Sequence, residues 1–251
     1  MSFKNKVVIV TGGSAGIGAA TAVKFAEESA NVVIVGRNEV KLREVAEECK
    51  KFNADCHVVK ADITTESEVK NIIDETIKKY GKLDVLVNNA GIVRAGIILD
   101  GRLMKDYDEI MNTNLKSVVV LTCLAAPYLI KTKGNIVNIS SISGAREGIS
   151  RFIAYSISKA GLDIFTRGTA SEMGSHGVRV NSISPGPVKT EIVRTGGIDE
   201  DISEWKSTTA LGRISEPEEV ADLILYLASD KAGGITGSNY VCDNGSLVFK
   251  P

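Results

Sequence analysis

Along this chain, short runs that are apolar at nearly every position alternate with longer stretches in which apolar residues recur every three or four positions. The short runs, at 6–10, 31–35, 56–60, 83–87, 135–139, 179–183 and 239–242, are rich in β-branched residues and predict seven strands. The longer stretches, near 17–29, 39–52, 66–80, 104–131, 152–174 and 217–229, predict helices, with Asn38 and Thr65 placed as N-caps. Runs such as VVIV and VLV have no polar face, as expected of strands covered by helices on both sides. The fold class expected is therefore α/β: a doubly wound parallel sheet of seven strands flanked by helices. No Pro-, Gly- or Ser-rich linker divides the chain, so 1–251 reads as a single domain, with ligands at the C-terminal ends of the strands. The one aperiodic stretch, from Glu191 to Ile214 with Gly196 and Gly197, places a substrate loop around 190–214.

Composition narrows the functional classes. With 43% apolar residues, 24% charged residues and a net charge of −1, the chain lacks the basic excess of a protein that binds nucleic acid by neutralising phosphates. The cysteines at 49, 56, 123 and 242 form no CxxC pair. With only His57 and His176 beside them, no zinc ligand set assembles and no metal is expected. They read as scattered, mostly buried thiols of a reducing compartment, and a cytoplasmic location is expected, with an organelle matrix as the alternative. The start, MSFKNKVVIVTGG, has no signal-peptide pattern, and the apolar run 118–130 is interrupted by Thr122 and Pro127 and too short to span, so no membrane is expected. The N-x-S triplets at Asn138 and Asn244 are not read as sugar sites.

Directly after the first strand comes Thr11-Gly12-Gly13-Ser14-Ala15-Gly16-Ile17-Gly18, running into a helix. Strand, glycine turn, helix is a phosphate-binding arrangement: glycines allow positive φ and close backbone approach, and the helix N-terminus offers N–H groups and partial positive charge. The spacing is GxxxGxG rather than GxGxxG, and a merely tight turn is the plain alternative. The segment Gly12–Gly16 also matches the G-x-S-x-G elbow of hydrolases. That reading is disfavoured, because the only later histidine, His176, sits in a polar turn and no oxyanion loop precedes the serine.

Tyr155 and Lys159 in YSISK are four residues apart on a helix, which brings phenol and ammonium to one face. A cation beside a phenol favours phenolate and prepares tyrosine for general acid–base work. Alone, this pair reads more readily as a core tyrosine beside a surface lysine. Ser140 and Ser141 end the strand NIVNIS, where a hydroxyl could hydrogen-bond a substrate carbonyl.

Together these residues resemble the short-chain dehydrogenase/reductase family over essentially the whole chain. The matching motifs are TGGSAGIG at 11–18, Asp62 after the third strand, NNAG at 88–91, Asn114 within NTNLKS, ISS ending at Ser141, YSISK at 155–159 and PGPVKT at 185–190. The resemblance implies a Rossmann-like fold and NAD(P)-dependent carbonyl/alcohol chemistry with a tetrad of Asn114, Ser141, Tyr155 and Lys159. Tyr155 is then the general acid, Ser141 positions the carbonyl oxygen, and Lys159 lowers the tyrosine pKa and holds the nicotinamide ribose. Asn114 keeps a helix locally open around a water. Cofactor contacts are implied for Thr11, Gly12, Ser14, Gly16, Ile17 and Gly18 in the turn, and for Asp62 and Ile63 at adenine. Asn88, Ala90 and Gly91 are implied beside the ribose, and Pro185, Gly186, Val188 and Thr190 at the carboxamide. The gap between Ser141 and Tyr155 is one residue longer than the commonest family spacing, implying an insertion in GAREGISRF.

The second strand ends Val35-Gly36-Arg37-Asn38, without the carboxylate that would accept both ribose hydroxyls of NAD, and Arg37 can pair with a 2′-phosphate. NADP(H) is favoured and NAD(H) remains the alternative, since Glu39 is close and Ala15 stands where many NADP-using relatives carry a basic residue. Expected pocket walls are Val93, Arg94, Ala145, Glu147, Ile149, Phe152, Ile192, Val193 and Trp205, suited to a medium apolar carbonyl compound. Arg94 and Arg151 leave open a 3-oxoacyl-carrier reductase, and an NAD-dependent alcohol or steroid dehydrogenase is a further alternative. A non-catalytic dinucleotide sensor and an isomerase or dehydratase on this fold rank lower. By resemblance, helices 104–131 and 152–174, with Val118–Leu121 and Phe165, are expected to build a homodimer or homotetramer interface.

Overall fold

The computed structural model describes residues 2–101, 103–145, 151–198 and 200–249. Seven strands, β1 (Val7–Thr11), β2 (Asn31–Gly36), β3 (Cys56–Lys60), β4 (Val85–Asn88), β5 (Asn135–Ile139), β6 (Arg179–Pro185) and β7 (Asn239–Cys242), form one sheet in the order β3-β2-β1-β4-β5-β6-β7. Every pairing is parallel. The helices are α1 (Gly16–Glu27), α2 (Glu39–Lys50), α3 (Glu66–Tyr80), α4 (Leu103–Met111), α5 (Ser117–Thr132), α6 (Ile153–Met173), α7 (Ile192–Thr195) and α8 (Pro217–Ala228).

The unbroken apolar runs have a direct cause. Val8 and Val10 of β1 and Val32 and Ile34 of β2 point into a core shared with α1, α2 and α8. Ile9, Val33 and Val35 point the other way, into a core shared with α3, α5 and α6. With both pleat faces buried, these runs have no solvent face that would favour a polar residue. Each fully buried Ile, Leu or Phe, such as Ile9, Leu86 and Phe25, contributes about 1.5–3 kcal/mol relative to exposure. The chain winds from β1 out to β3, then returns to β4 beside β1, and the reversal opens a crevice at the carboxyl ends of those two strands.

Asn38 caps α2 as expected, its side chain accepting from the Lys41 amide at 3.1 Å. Thr65 occupies the cap position of α3, but its side chain makes no cap bond; Glu68 reaches back to the Asp62 amide instead. The expected helix 104–131 is α4 and α5 joined by a π-helical turn, Asn112–Lys116. By length and composition the continuous helix Leu103–Thr132 is apolar enough to cross a membrane, yet Leu121, Ala125 and Leu129 lie in the core against the sheet. Of the expected interface residues, Val118 and Leu121 are likewise buried within the chain and Phe165 is half-buried; Ile157 and Ile164, not among those expected, are the exposed apolar residues of α6. Cys123 is exposed, unlike the other three cysteines. Asn138 is buried in β5.

Candidate active site

The crevice is the mouth of a cavity of about 970 Å³, at the upper end of the range for small-molecule sites. Its floor at the switch point is built by side chains that tie β1 to β4. The Thr11 hydroxyl accepts from the Asn89 and Ala90 amides at 3.0 and 3.1 Å, and Asn89 Nδ2 donates to the Thr11 and Gly12 carbonyls at 2.8 and 3.3 Å. Gly12 has φ +66° and Gly16 φ +54°, values that disfavour any side chain. A Cβ on Gly18 would stand 2.3 Å from the Gly12 carbonyl oxygen, so the third glycine lets α1 pack onto the turn. The N-cap of α1, Ala15, makes no side-chain cap, and the first turn holds no acidic residue. The α1 N-terminus faces the cavity through Ser14, Ala15, Gly16 and Ile17, an arrangement that fits a pyrophosphate.

Further along the cavity, Ser141, Tyr155 and Lys159 come together. Ser141 leaves β5 in extended conformation, and the short turn Ile142–Gly144 after it is so close to α6 that a Cβ on Gly144 would lie 2.9 Å from the Ala160 amide. This contact holds the serine against the helix that carries the tyrosine. Burial pushes the Tyr155 phenol above its usual pKa, with the facing Ser141 hydroxyl pulling the other way. Burial also brings Lys159 down to about 8, opposed by the charge of Asp163. The expected pairing of Lys159 with the phenol takes a different form. Its Nζ donates to the Ile139 carbonyl at 2.8 Å and lies 5.6 Å from the Tyr155 ring centroid. Its charge is not among the influences that set the phenol's pKa, which moves up rather than down.

Asn114 lies behind these groups in the π-helical turn. Its Oδ1 accepts from the Ile92 amide at 2.8 Å, and its Nδ2 donates to the Ile92 carbonyl at 2.9 Å and to Ser158 Oγ at 3.2 Å. A β-ladder-like clasp thus binds the opened helix to the segment leaving β4. At Gly91 an added Cβ would be 3.3 Å from Asn114 Oδ1, a tight approach, and 3.5 Å from Lys159 Nζ, an ordinary contact.

At the opposite end, beyond β2, the lining includes Arg37, Asn38, Lys41, Asp62 and Ile63. Arg37 reaches 3.9 Å from Asp62, and Lys41 pairs with Glu191 at 3.2 Å across the mouth. Glu39 is held by Arg43 at 2.5 Å and does not line the cavity. On the substrate side Val93, Phe152, Val193 and Ile198 form an apolar cluster with Ile192, Ile202 and Trp205. Arg94 and Ala145 do not line the cavity. Arg94 is held by Glu109 at 3.1 and 2.8 Å. Arg151 does line it, but Glu200 accepts from both its terminal nitrogens and also from Trp205 Nε1 at 3.2 Å. Glu147 and Ile149, in the expected insertion, lie outside the described residues.

Pro185, Gly186, Val188 and Thr190 line the cavity with the glycine turn, Ala90 and Gly91. Four of the expected catalytic and cofactor-binding residues do not: Thr11, Gly18, Asn88 and Asn114. The first two shape the turn, and Asn88 is buried, donating to Asn138 Oδ1 at 2.8 Å. The sequence reading passed over Asn38, Lys41, Asn89, Ile198 and Ile202; Asn89 lay within the NNAG motif, and Lys41 one turn beyond Arg37. Ser14 lies in the phosphate turn at the carboxyl edge of the sheet, whereas exposed His176 follows α6, about 27 Å along that helix from Tyr155 by helical rise. The hydrolase arrangement is thereby excluded.

A family described as enoyl-(acyl carrier protein) reductase matches residues 12–246. The chain is 35% identical to the 3-oxoacyl-[acyl-carrier-protein] reductase FabG of Thermotoga maritima, covering 99% of this chain and 100% of that protein. It is 38% identical to meso-2,3-butanediol dehydrogenase of Serratia marcescens, covering 99% and 97%. A solved structure of a short-chain dehydrogenase/reductase of unknown function from Caenorhabditis elegans, with cofactor, superposes with a TM-score of 0.92 at 36% identity, covering 99% of this chain and 97% of that one. With this sheet order, glycine turn and these relatives, the chain belongs to the short-chain dehydrogenase/reductase family and is an NAD(P)-dependent oxidoreductase acting on CH–OH groups.

Proposed function

We propose that the protein reduces a neutral ketone with an apolar body to a secondary alcohol, using NADP(H), with Tyr155 as the proton donor. The observation that carries this reading is the convergence of Ser141, Tyr155 and Lys159 in the same cavity as the glycine turn. The dinucleotide fits the residues present: the uncapped α1 N-terminus and Gly12, Ser14, Gly16 and Ile17 receive the pyrophosphate, with Asp62 and Ile63 at the adenine. Ala90 and Gly91 serve the ribose, and Pro185, Gly186, Val188 and Thr190 the carboxamide. Thr11, Gly18, Asn88 and Asn114 act from behind, by shaping the walls. When bound, the nicotinamide supplies the hydride that the carbonyl carbon receives.

The protein's own part is proton placement and orientation. Ser141 donates a hydrogen bond to the carbonyl oxygen, and Tyr155 gives that oxygen its phenolic proton. A phenol raised by burial is neutral at pH 7, the form an acid requires. Lys159, near 8, is mostly charged at that pH, and its ammonium, anchored on the Ile139 carbonyl beside the phenol ring, is assigned to the nicotinamide ribose. Substrate preference follows from the walls: the apolar cluster, with Ile192, Val193, Ile198, Ile202 and Trp205 supplied by the substrate loop, takes a hydrocarbon body. Arg94 and Arg151 already have carboxylate partners, which disfavours an anionic carrier thioester.

The test is NADPH oxidation, followed by its absorbance, with butane-2,3-dione, an aliphatic cyclic ketone and a 3-oxoacyl thioester. The dione or the cyclic ketone is expected to turn over at least tenfold more efficiently than the thioester; the reverse order overturns the substrate assignment. Exposed Ile157 and Ile164 on α6 are the proposed centre of a self-association surface. Sedimentation at micromolar concentration is expected to show a dimer or tetramer, and Ile164→Glu to shift it toward monomer.

A further inference from the structure

One buried acid has no part in the steps above. Asp163 lies one helical turn after Lys159 on α6 and is only 7% exposed. It faces the sheet, where Ser182 of β6, itself 1% exposed, donates to Asp163 Oδ1 at 3.1 Å. The Ser140 hydroxyl at the end of β5 is within reach both of this carboxylate and of the Lys159 carbonyl, 3.2 Å away. The charged groups acting on Asp163 are Arg167 and Lys159 of its own helix; β5 and β6 offer it hydroxyls. Among the described residues Lys159 Nζ has one hydrogen-bond acceptor, the neutral Ile139 carbonyl, and the carboxylate that acts on it, from beyond ion-pair distance, is that of Asp163 one turn along the helix. A buried carboxylate is costly unless its charge has a counterpart, and a buried lysine loses its proton without one.

We propose that Asp163 is a positioning residue that keeps Lys159 in its ammonium form beneath Tyr155 during turnover. The carboxylate is held by the Ser182 hydroxyl rather than by direct contact with substrate or cofactor, and it acts on the reaction only through the lysine. This rests on the reading of Lys159 as part of the reacting site. Without the acid, burial alone acts on the lysine and its titration falls from about 8 toward neutrality. Carbonyl reduction requires the charged lysine, so activity is lost as pH rises through that titration, and the loss then begins at lower pH.

Asp163→Asn separates charge from hydrogen bonding, because the amide oxygen still accepts from Ser182. Two readouts are taken on the full-length protein. One is the pH profile of kcat with NADPH and butane-2,3-dione. The other is the titration of lysine side chains labelled with nitrogen-15, with the Lys159 signal assigned by its absence in Lys159→Met. In Asp163→Asn, both the lysine titration and the alkaline limb are expected to move down by about one pH unit, which leaves about a twofold loss of rate at pH 7 and about tenfold at pH 9. Asp163→Glu, which restores the charge, is expected to return the lysine titration toward that of the wild type. Should Asp163→Asn not fold, Ser182→Ala frees the carboxylate from one bond and is expected to broaden its placement and lower the lysine titration by a smaller step. An unmoved lysine titration in the folded variants overturns the proposal, as does a lysine that moves while the rate profile stays. Wild-type protein inactive on every ketone instead overturns the proposed function, and the lysine titration still decides the electrostatic link.

Discussion

Tyr155→Phe is expected to lower kcat for ketone reduction by about 100- to 10,000-fold, the usual worth of a positioned general acid, while NADPH binds within about threefold of the wild-type affinity. The substitution removes one oxygen and keeps the ring that Lys159 approaches at 5.6 Å, so the cavity keeps its shape. Binding can be followed through Trp205, the single tryptophan, which lines the cavity. Loss of rate with loss of binding in equal measure would assign the tyrosine to cofactor seating rather than proton transfer. The wild-type pH profile separates the lysine from the phenol. The phenol lies above its usual value and the lysine near 8, so the first group to leave its working form as pH rises is the lysine. Reduction should therefore decline above about pH 8, well before the phenol ionises. A decline that begins only above pH 10 would place the controlling ionisation on the phenol itself.

How much of this was open to sequence reading depends on how far away the deciding partner lies in the chain. Strands were legible because burial on both faces leaves apolar runs. Their ends were not, because distant groups set them: Thr132 Oγ1 takes the Leu83 carbonyl at 2.7 Å, ahead of β4, and pairing with β7 carries β6 on to Pro185. The glycine turn and the Tyr155–Lys159 spacing are local patterns and survive as they stand. Their consequences are not local. Helical spacing guarantees that two side chains start together, but the Ile139 carbonyl, twenty residues earlier, decides where the lysine nitrogen ends. Arg94 looked free for a substrate anion because Glu109, its partner, comes fifteen residues later in the chain on α4. Thr11 and Asn88 belong to the family motifs, yet their side chains bond to Val87 and Asn138, not to the cavity. Motif membership alone could not tell a wall-builder from a group that touches ligand.

The second large effect concerns the choice between the two nicotinamide cofactors. Around the end of β2, the cavity is lined by Arg37, Asn38 and Lys41, with Glu39 turned away onto Arg43. A 2′-phosphate placed there gains two cations, each charge-assisted contact being worth about 1.5–3 kcal/mol, less where solvent screens it. Arg37→Ala is thus expected to weaken NADPH binding about 10- to 100-fold, and Arg37→Ala with Lys41→Ala to erase or reverse the preference over NADH. NADH, lacking the phosphate, should bind all these forms within a factor of about three. Lys41 is held at 3.2 Å by Glu191 on the opposite rim, so the phosphate must compete with a carboxylate already in place. Glu191→Gln removes that competitor and is expected to tighten NADPH a few-fold while leaving NADH unchanged, an effect that shrinks as salt is raised. Fluorescence titration of both cofactors at two ionic strengths distinguishes the outcomes. If the wild type prefers NADH, or if the double substitution weakens both cofactors equally, the phosphate does not sit between these two cations. The 3.9 Å approach of Arg37 to Asp62 would then be the more telling contact, with the arginine neutralised by the protein's own carboxylate and the ribose hydroxyls left unmodified.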